Sequence, residues 1–169
     1  MKKLLLLVFL ILVCVVGCMI ADEQLEVARL KDVSPVVSTT LPVVQISSDD
    51  AVFELQLYDN EASRAFLKQL PQTLVMNRWG DGGYGGVLAK KESIVQDKKN
   101  QRRAFFKGEV VWHQKKNVLF LMFGPTPVGL TVDEPMLLTF NSIPVGRLKD
   151  YSGLEHLPGV AEFLFQIKK

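Results

Sequence analysis

Two segments of the chain alternate apolar and polar residues, which is the pattern of half-buried β-strands. Every second residue is apolar from Phe53 to Leu57 and again from Ala161 to Ile167, and we expect these apolar residues to face inward. A short apolar run, Val43 to Ile46, precedes the first segment, and the turn-forming cluster Ser47-Ser48-Asp49-Asp50 separates the two. The sequence therefore predicts an N-terminal β-hairpin and a C-terminal strand.

Four further segments favour strands. Thr73 to Asn77 and Ile143 to Leu148 are short and rich in apolar residues. Glu109 to His113 and Val118 to Phe123 are separated by the tight turn Gln114 to Asn117, so they predict a second hairpin. Because the segment from Val118 is apolar throughout, we expect it to be buried on both faces.

Two short helices are predicted between the strands. Apolar residues recur at helical spacing from Ala62 to Leu70, after Asp59 or Asn60 as the N-cap. The second helix is expected to begin at Ser152-Gly153-Leu154-Glu155, where serine and glutamate have the spacing of a capping box. Many strands with two short helices favour a mainly β fold, a closed or nearly closed small barrel capped by helices.

The N-terminus has the layout of a secretory signal. Met1-Lys2-Lys3 is positive, and no charged residue follows from Leu4 to Ala21. Val15-Val16-Gly17-Cys18 resembles the lipobox of bacterial lipoproteins, which implies cleavage before Cys18, lipid on its thiol and an acyl chain such as palmitate on the new N-terminus. Several acyl chains on one residue would anchor the protein stably. The alternative is an uncut helix, because about 20 apolar residues span a membrane.

These features predict three regions: a signal peptide (1–17), a lipidated N-terminus with a flexible linker (18–41), and one domain (42–169). Either form of anchor places the domain in the cell envelope, on the outer face of the inner membrane or on the outer membrane. The chain has 20 Lys and Arg against 18 Asp and Glu, but Lys2 and Lys3 belong to the signal, so the mature chain is formally neutral. A neutral, exported chain is not expected to bind nucleic acid. Cys14 and Cys18 are the two cysteines, so the domain must be stabilised by its core rather than by disulfides.

The order of several short motifs resembles the bacterial cyclophilin-like domain family. The motifs are Leu57-Tyr58-Asp59-Asn60, Leu70-Pro71, Gly108-Glu109-Val110-Val111-Trp112, Phe123-Gly124-Pro125-Thr126 and Val145-Gly146-Arg147-Leu148. The resemblance covers residues 42 to 169 and implies an eight-stranded β-barrel closed by helices. It does not imply one particular activity.

Cyclophilins that isomerise prolyl bonds carry a Phe-His-Arg triplet, whose arginine polarises the prolyl amide. This chain has no such triplet. Arg78 occupies a comparable stretch as Asn77-Arg78-Trp79, and His113 lies in a different segment. The barrier of the amide is about 18–20 kcal/mol, and a desolvating pocket with one placed donor could lower it. Isomerase activity is therefore the alternative function.

Two segments carry charge or glycine patterns that suggest function. Gly80-Asp81-Gly82-Gly83-Tyr84-Gly85 matches the dinucleotide fingerprint G-x-G-x-x-G, but no helix or βαβ unit follows it. We expect an ordinary surface loop, or in its functional form a mobile loop over a pocket that Trp79 and Tyr84 contact. The basic run Lys98 to Arg103 is expected to be a solvated turn, and the alternative is contact with anionic lipid headgroups.

A ligand pocket is predicted at the barrel rim, where an apolar strand ends in Gly-Pro-Thr-Pro. Arg78 would be its polar anchor for a carbonyl or carboxylate. The complete set of predicted ligand-binding residues is Arg78, Trp79, Tyr84, Trp112, Phe123, Gly124 and Pro125.

Neither a metal nor a cofactor is expected, because His113 and His156 lack acidic partners at ligand spacing. Both histidines are expected in surface or capping positions. The sequence favours a non-catalytic module that binds an unknown peptide or small molecule and contacts membrane lipid through Cys18. A prolyl isomerase or chaperone of exported proteins is the alternative, and a purely structural envelope lipoprotein is the third hypothesis.

Overall fold

The computed structural model describes residues 21, 24–25, 35–49, 51–89, 97–124 and 136–169. The chain divides into two units, Met1–Ser34 and Pro35–Lys169. In the first unit, Ala21, Gln24 and Leu25 are helical and exposed, while the predicted signal and Cys18 lie outside the described residues. Within the described ranges, no helix is both long enough and apolar enough to cross a membrane.

The described part of the second unit contains nine strands, one α-helix and two 3₁₀ turns. In chain order these are β1 (Val44–Ser48), β2 (Ala51–Leu57), α1 (Glu61–Leu67), β3 (Gln72–Trp79), β4 (Gly83–Val87), a 3₁₀ turn (Lys98–Asn100), β5 (Arg102–Phe105), β6 (Glu109–His113), β7 (Val118–Met122), β8 (Met136–Leu148), a 3₁₀ turn (Leu154–His156) and β9 (Val160–Ile167).

Eight of the strands close into an antiparallel barrel. Their order is β1, β9, β3, β4, β7, β6, β8 and β2, and the pairing of β1 with β2 completes the ring. In the pairing of β2 with β8, Leu55 lies opposite Leu148 and Leu57 lies opposite Gly146. This confirms the predicted mainly β fold and the eight-stranded barrel.

The barrel interior is filled by alternate residues of the strands, as the period-two pattern predicts. Large buried side chains include Trp112, Tyr84, Phe163 and Phe165, all with almost no exposed surface. Helix α1 adds Phe66, whose ring packs edge-on against Phe165 with centroids 5.9 Å apart. The predicted inward face of β9 ends before Ile167, which is half exposed at the end of the strand.

A second, smaller apolar cluster lies on the outside of the barrel. Strand β5 pairs with the first half of β8, and this pair, together with the outer faces of β6 and β7, encloses the buried residues Phe105, Val111, Met122 and Leu138. Phe120 and Phe140 pack against the cluster. The strand predicted to begin at Ile143 starts earlier, at Met136. Its first half is a strand because it pairs with β5, whereas its second half pairs with β6 and β2 in the barrel. The cluster explains why β7 is apolar on both faces.

The N-terminal end of α1 is held by Asn60, as predicted. Its Oδ1 accepts hydrogen bonds from the backbone N and Oγ of Ser63, and its Nδ2 donates to the carbonyl of Pro144. The second predicted helix is only a 3₁₀ turn, and no side-chain hydrogen bond caps it. The capping box is absent because the backbone N of Ser152 donates to Asp150 instead. The prediction of two short helices was therefore wrong for the second.

The chain is attached to the barrel before its first strand. The carbonyl of Val36 accepts from the backbone N of Asp59, and the backbone N of Ser38 donates to the carbonyl of Leu57. Val37 forms an isolated bridge with Tyr58. The part of the predicted linker from Val36 onward is thus bound to the end of β2.

Candidate functional site

The glycine-rich segment is a barrel strand. Gly83–Val87 forms β4 between β3 and β7, so the prediction of a loop was wrong for this part, while Gly80 to Gly82 form the turn before it. Glycine is required by close packing here: a Cβ on Gly83 would lie 2.2 Å from the carbonyl oxygen of Leu121. Because Gly83 and Gly85 place no side chain on its outer face, β4 leaves a depression between its two neighbours there.

A groove runs along this depression on the outside of the barrel, and we call it the β3–β4–β7 groove. Asn77, Gly85 and Phe120 are aligned across the three strands. Because Gly85 has no side chain, the Phe120 ring lies over its backbone, where an added Cβ would be 3.0 Å from the ring. Trp79 is 6.2 Å from Phe120 between ring centroids, with the planes tilted by 59°.

The groove has a volume of about 510 Å³ and a largely apolar lining. Val75, Trp79 and Val87 are exposed by 54%, 39% and 65%, although they are large apolar residues. Among the described residues that line the groove, Arg78 is the one with a charged side chain. The lining residues are Thr73, Leu74, Val75, Asn77, Arg78, Trp79, Gly85, Gly86, Val87, Ala89, Val118 and Phe120.

The guanidinium of Arg78 is held by protein acceptors. Its Nε donates to the carbonyl of Gly80 at 3.1 Å, and its Nη1 donates to the carbonyl of Glu155 at 2.9 Å. Its Cζ lies 5.4 Å from the centroid of the Phe123 ring, a cation–π arrangement. Because neighbouring residues of a strand face opposite sides, Arg78 follows the inward side of β3 while Trp79 faces outward.

Tyr84 and Phe123 lie beside Arg78 in the barrel interior. Their ring centroids are 5.7 Å apart. The hydroxyl of Tyr84 lies 2.8 Å and 2.6 Å from the carbonyl oxygens of Leu157 and Pro158, to which it can donate. Burial raises the pKa of Tyr84, and the nearby Arg78 opposes that shift. These contacts fasten the turn after the second 3₁₀ segment to the barrel.

Of the remaining predicted site residues, Trp112 and Gly124 lie apart from the groove. Trp112 is 1% exposed inside the barrel, and its Nε1 donates to Oδ1 of Asn117 at 3.3 Å. Gly124 is packed so closely that an added Cβ would be 1.7 Å from the carbonyl oxygen of Asp81. Pro125 lies outside the described residues.

The structure therefore divides the predicted pocket. Arg78 and Trp79 border the groove, and Arg78, Tyr84 and Phe123 meet on the inner side of the barrel wall. Sequence reasoning did not identify Phe120, Val75 or Val87. The period-two exposure of β3 could have indicated Val75, but Phe120 becomes a groove residue only through the pairing of β4 with β7.

A buried ionic network lies at another part of the barrel and was also missed. Glu109 is fully buried and accepts from the Tyr58 hydroxyl at 2.8 Å and from the backbone N of Phe106 at 2.8 Å. Arg102 Nη2 donates to both carboxylate oxygens of Glu109, at 2.6 and 2.8 Å. Burial raises the pKa of Tyr58 far above its usual value, and the adjacent Glu109 carboxylate adds to the shift.

The basic run thus differs from the solvated turn that was predicted. Lys98 and Lys99 are exposed in the 3₁₀ turn, but Arg102 is buried in β5 because it neutralises Glu109. His113 is also buried rather than on the surface. Its Nδ1 lies 3.0 Å from the carbonyl of Asn141, and its ring packs 4.3 Å from Phe140. In the described ranges, no three acidic, histidine or cysteine side chains are grouped as metal ligands.

Comparison with known proteins identifies the family. The sequence model of the cyclophilin-like family matches residues 46–132, just over half of the chain. The chain belongs to the cyclophilin-like family. This confirms the resemblance inferred from the order of the motifs, and the match contains β3, β4 and β7, the three strands of the groove.

A solved structure shares the cyclophilin-like barrel. The solution structure of a hypothetical protein from Archaeoglobus fulgidus superposes with a TM-score of 0.60 at 21% identity, covering 75% of this chain and 95% of that chain. At this identity the likeness shows the fold alone. No curated protein sequence matches the chain.

Proposed function

We propose that the protein is a membrane-anchored exported lipoprotein whose cyclophilin-like domain is a binding module. Its site is the β3–β4–β7 groove, and its ligand is an uncharged, largely apolar peptide or small molecule. The observation that carries the proposal is the groove itself, where exposed Trp79, Val75 and Val87 line one depression. Isolated exposed apolar residues are ordinary, but several that share one concavity are typical of a binding surface.

The size and chemistry of the groove support this assignment. Its volume of about 510 Å³ falls in the range of about 300–1,000 Å³ that is usual for small-molecule sites. The guanidinium of Arg78 donates to the carbonyls of Gly80 and Glu155 and lies 3.6 Å from the Asp81 carboxylate, so its hydrogen bonds and its charge already have partners in the protein. Asn77 and Thr73 are exposed along β3 and can exchange hydrogen bonds with a neutral polar group.

Trp79 supplies a direct test. The chain has two tryptophans, and Trp112 is buried in the barrel, so a ligand in the groove should change the emission of Trp79 alone. We expect a member of a peptide and metabolite library to quench or shift the emission of the full chain in nonionic detergent. The Trp79→Phe variant should lose the signal, whereas Val52→Ala, which removes an exposed apolar side chain of β2, should keep it. A library without any active member would overturn the proposal and favour a purely structural lipoprotein.

The isomerase alternative relied on Arg78 as the donor to a prolyl amide. The two carbonyls that Arg78 binds, and its position over Phe123, leave that role without support. A protease-coupled assay on a proline peptide tests the point. Acceleration of isomerisation by the full chain, abolished by Arg78→Ala, would contradict the assignment as a non-catalytic module.

The anchor is tested separately at Cys18. It rests on the positive start Lys2-Lys3, the uncharged stretch from Leu4 to Ala21 and the lipobox-like sequence Val15 to Cys18. We expect labelled palmitate to be incorporated into the chain in bacterial cells and Cys18→Ala to prevent it. Incorporation that persists in the variant would refute lipidation at this position.

A further inference from the structure

A second cleft, of about 480 Å³, lies between the start of α1 and the 3₁₀ turn Lys98–Asn100, and we call it the charged cleft. It is lined by Asp59, Asn60, Glu61, Arg64, Asp97, Lys98, Lys99 and Asn100. In contrast to the β3–β4–β7 groove, every lining residue is polar or charged. Among the described lining residues, three are acidic and three are basic, so they combine both signs of charge without a net excess.

One wall of the charged cleft is held rigidly. Asn60 uses both ends of its amide, because Oδ1 accepts from Ser63 and Nδ2 donates to the carbonyl of Pro144. Arg64 forms an ion pair with Asp59, and both side chains are about half exposed. This wall carries the Asp59–Arg64 ion pair, and the hydrogen bonds of Asn60 leave it at most one N–H donor for a ligand.

The opposite wall contains a carboxylate that is only partly satisfied. Asp97 is 7% exposed, and its Oδ1 accepts from Nδ2 of Asn100 at 2.8 Å. Its Oδ2 is buried and has no hydrogen-bond partner among the described residues. A buried polar atom without a partner costs about 1–3 kcal/mol, more when charged, so this oxygen favours a cationic donor. Asp97 lines the cleft, and a carboxylate has acceptor sites left for a second donor besides Asn100.

Two exposed ammonium groups stand beside Asp97. In the ranges that the structure describes, neither Lys98 nor Lys99 takes part in a hydrogen bond or ion pair through its side chain. A divalent metal is disfavoured at Asp97, because the described acidic residues of the cleft are not grouped as ligands. A primary ammonium fits this arrangement better, since its three N–H donors can be shared between separate acceptors.

We propose that the charged cleft binds a small zwitterion with a primary ammonium and an oxyanion, either carboxylate or phosphate. The ammonium donates to Asp97 and Glu61, and the oxyanion is held by Lys98 and Lys99. Two sources supply this chemistry: free amino acids, and aminoalkyl phosphates such as the headgroup of a zwitterionic phospholipid. The second source would be close to an anchored chain, because Val36 joins the barrel at Asp59, a residue of the cleft.

Calorimetric titration of the full chain in nonionic detergent tests the proposal with three probes: phosphoethanolamine, phosphocholine and glycine. Phosphocholine carries three methyl groups on its nitrogen and therefore has no N–H donor. Phosphoethanolamine should consequently bind at least about tenfold more tightly than phosphocholine. Stronger binding of phosphoethanolamine than of glycine would assign the site to phosphate headgroups, and the reverse order would assign it to amino acids. Either order supports a zwitterion site. Equal binding of phosphoethanolamine and phosphocholine, or no saturable binding of any probe, would overturn it.

Variants localise the binding. Asp97→Asn should weaken phosphoethanolamine binding at least about tenfold, because a charge-assisted hydrogen bond is lost. The double variant Lys98→Gln/Lys99→Gln should weaken it as well without touching a buried group. The control Lys115→Gln/Lys116→Gln, in the exposed turn between β6 and β7, should bind as the wild type does. Unchanged binding in the Lys98→Gln/Lys99→Gln variant would refute the site, whether or not Asp97→Asn folds. Trp79 emission reports the groove separately, so either proposal can fail alone.

Discussion

Replacing Glu109 with leucine would leave the guanidinium of Arg102 buried without its counter-charge. The carboxylate is fully buried and accepts hydrogen bonds from Tyr58, Phe106 and Arg102. Removing one partner of a buried ion pair costs about 3–5 kcal/mol, a large share of a total stability of about 5–15 kcal/mol. For a domain of this size, the unfolding midpoint should fall by about 3–5 °C for each kcal/mol lost.

The same reasoning predicts partial recovery in a double variant. Arg102→Met alone should also be strongly destabilising, because it leaves the Glu109 carboxylate buried without a counter-charge. Arg102→Met/Glu109→Leu removes both charges, and its methionine can still pack against Phe105, whose ring now lies 5.2 Å from the guanidinium carbon. We expect the double variant to be more stable than either single one, by about 1–3 kcal/mol.

Urea unfolding of the full chain in nonionic detergent, followed by near-ultraviolet circular dichroism, measures these differences. The coupling free energy between the two sites decides, because a double-mutant cycle isolates the pairwise interaction when neither single substitution creates new contacts. If the free-energy losses of the single variants simply added in the double variant, the pair would contribute no coupling. That result would refute the buried ion pair as the reason for the burial of Arg102.

Three further predictions concern other parts of the barrel. Gly83→Ala should lower the thermal midpoint strongly, because the added Cβ would lie 2.2 Å from the carbonyl oxygen of Leu121. Gly159→Ala, where no atom lies within 4 Å of the added Cβ, should unfold at the same temperature as the wild type. Equal midpoints for the two variants would contradict the close packing of β4. Hydrogen bonds from Lys149 and Lys168 lower the pKa of Glu54 from 4.5 to about 2. Its contribution to stability is therefore complete above pH 4.5 and is lost as the pH falls towards 2, so an acid titration of Glu54→Gln should show a shallower loss of stability than that of the wild type. Burial raises the pKa of Tyr84 from its ordinary 10.0, so the stability of the domain should fall as the pH rises above 10. Tyr84→Phe should remove a group that ionises late from the tyrosinate absorbance titration. An unchanged titration would count against the burial of Tyr84.

Local signals in the sequence were sufficient for several elements. The β1–β2 and β6–β7 hairpins follow from short alternating or apolar runs separated by turn residues, and Asn60 is an N-cap that needs only its own neighbours. The order of motifs was enough to indicate the family, because it reflects the whole succession of strands rather than any one of them.

The elements that sequence reasoning missed depend on distant neighbours. Glycines in β4 carry no alternating pattern, and their strand forms because β3 and β7 supply hydrogen-bond partners on both sides. Arg102 belongs to a basic run in the sequence, and only the fold brings Glu109 and Tyr58 beside it. The groove likewise depends on three strands, since Trp79 on β3 and Phe120 on β7 meet only across the glycines of β4.

The closed ring of strands has a consequence for durability. Each barrel strand is hydrogen-bonded on both sides, so none can peel away without breaking two ladders at once. In the described part of the chain, the one strand with a free side is β5, which is only four residues long and therefore a poor template for intermolecular pairing. A domain that lacks cysteine, and so cannot be cross-linked by disulfides, thereby gains resistance to proteases and aggregation from its topology in addition to its core. Its amide protons in β1, β9 and β3 should accordingly be among the last to exchange with deuterated solvent.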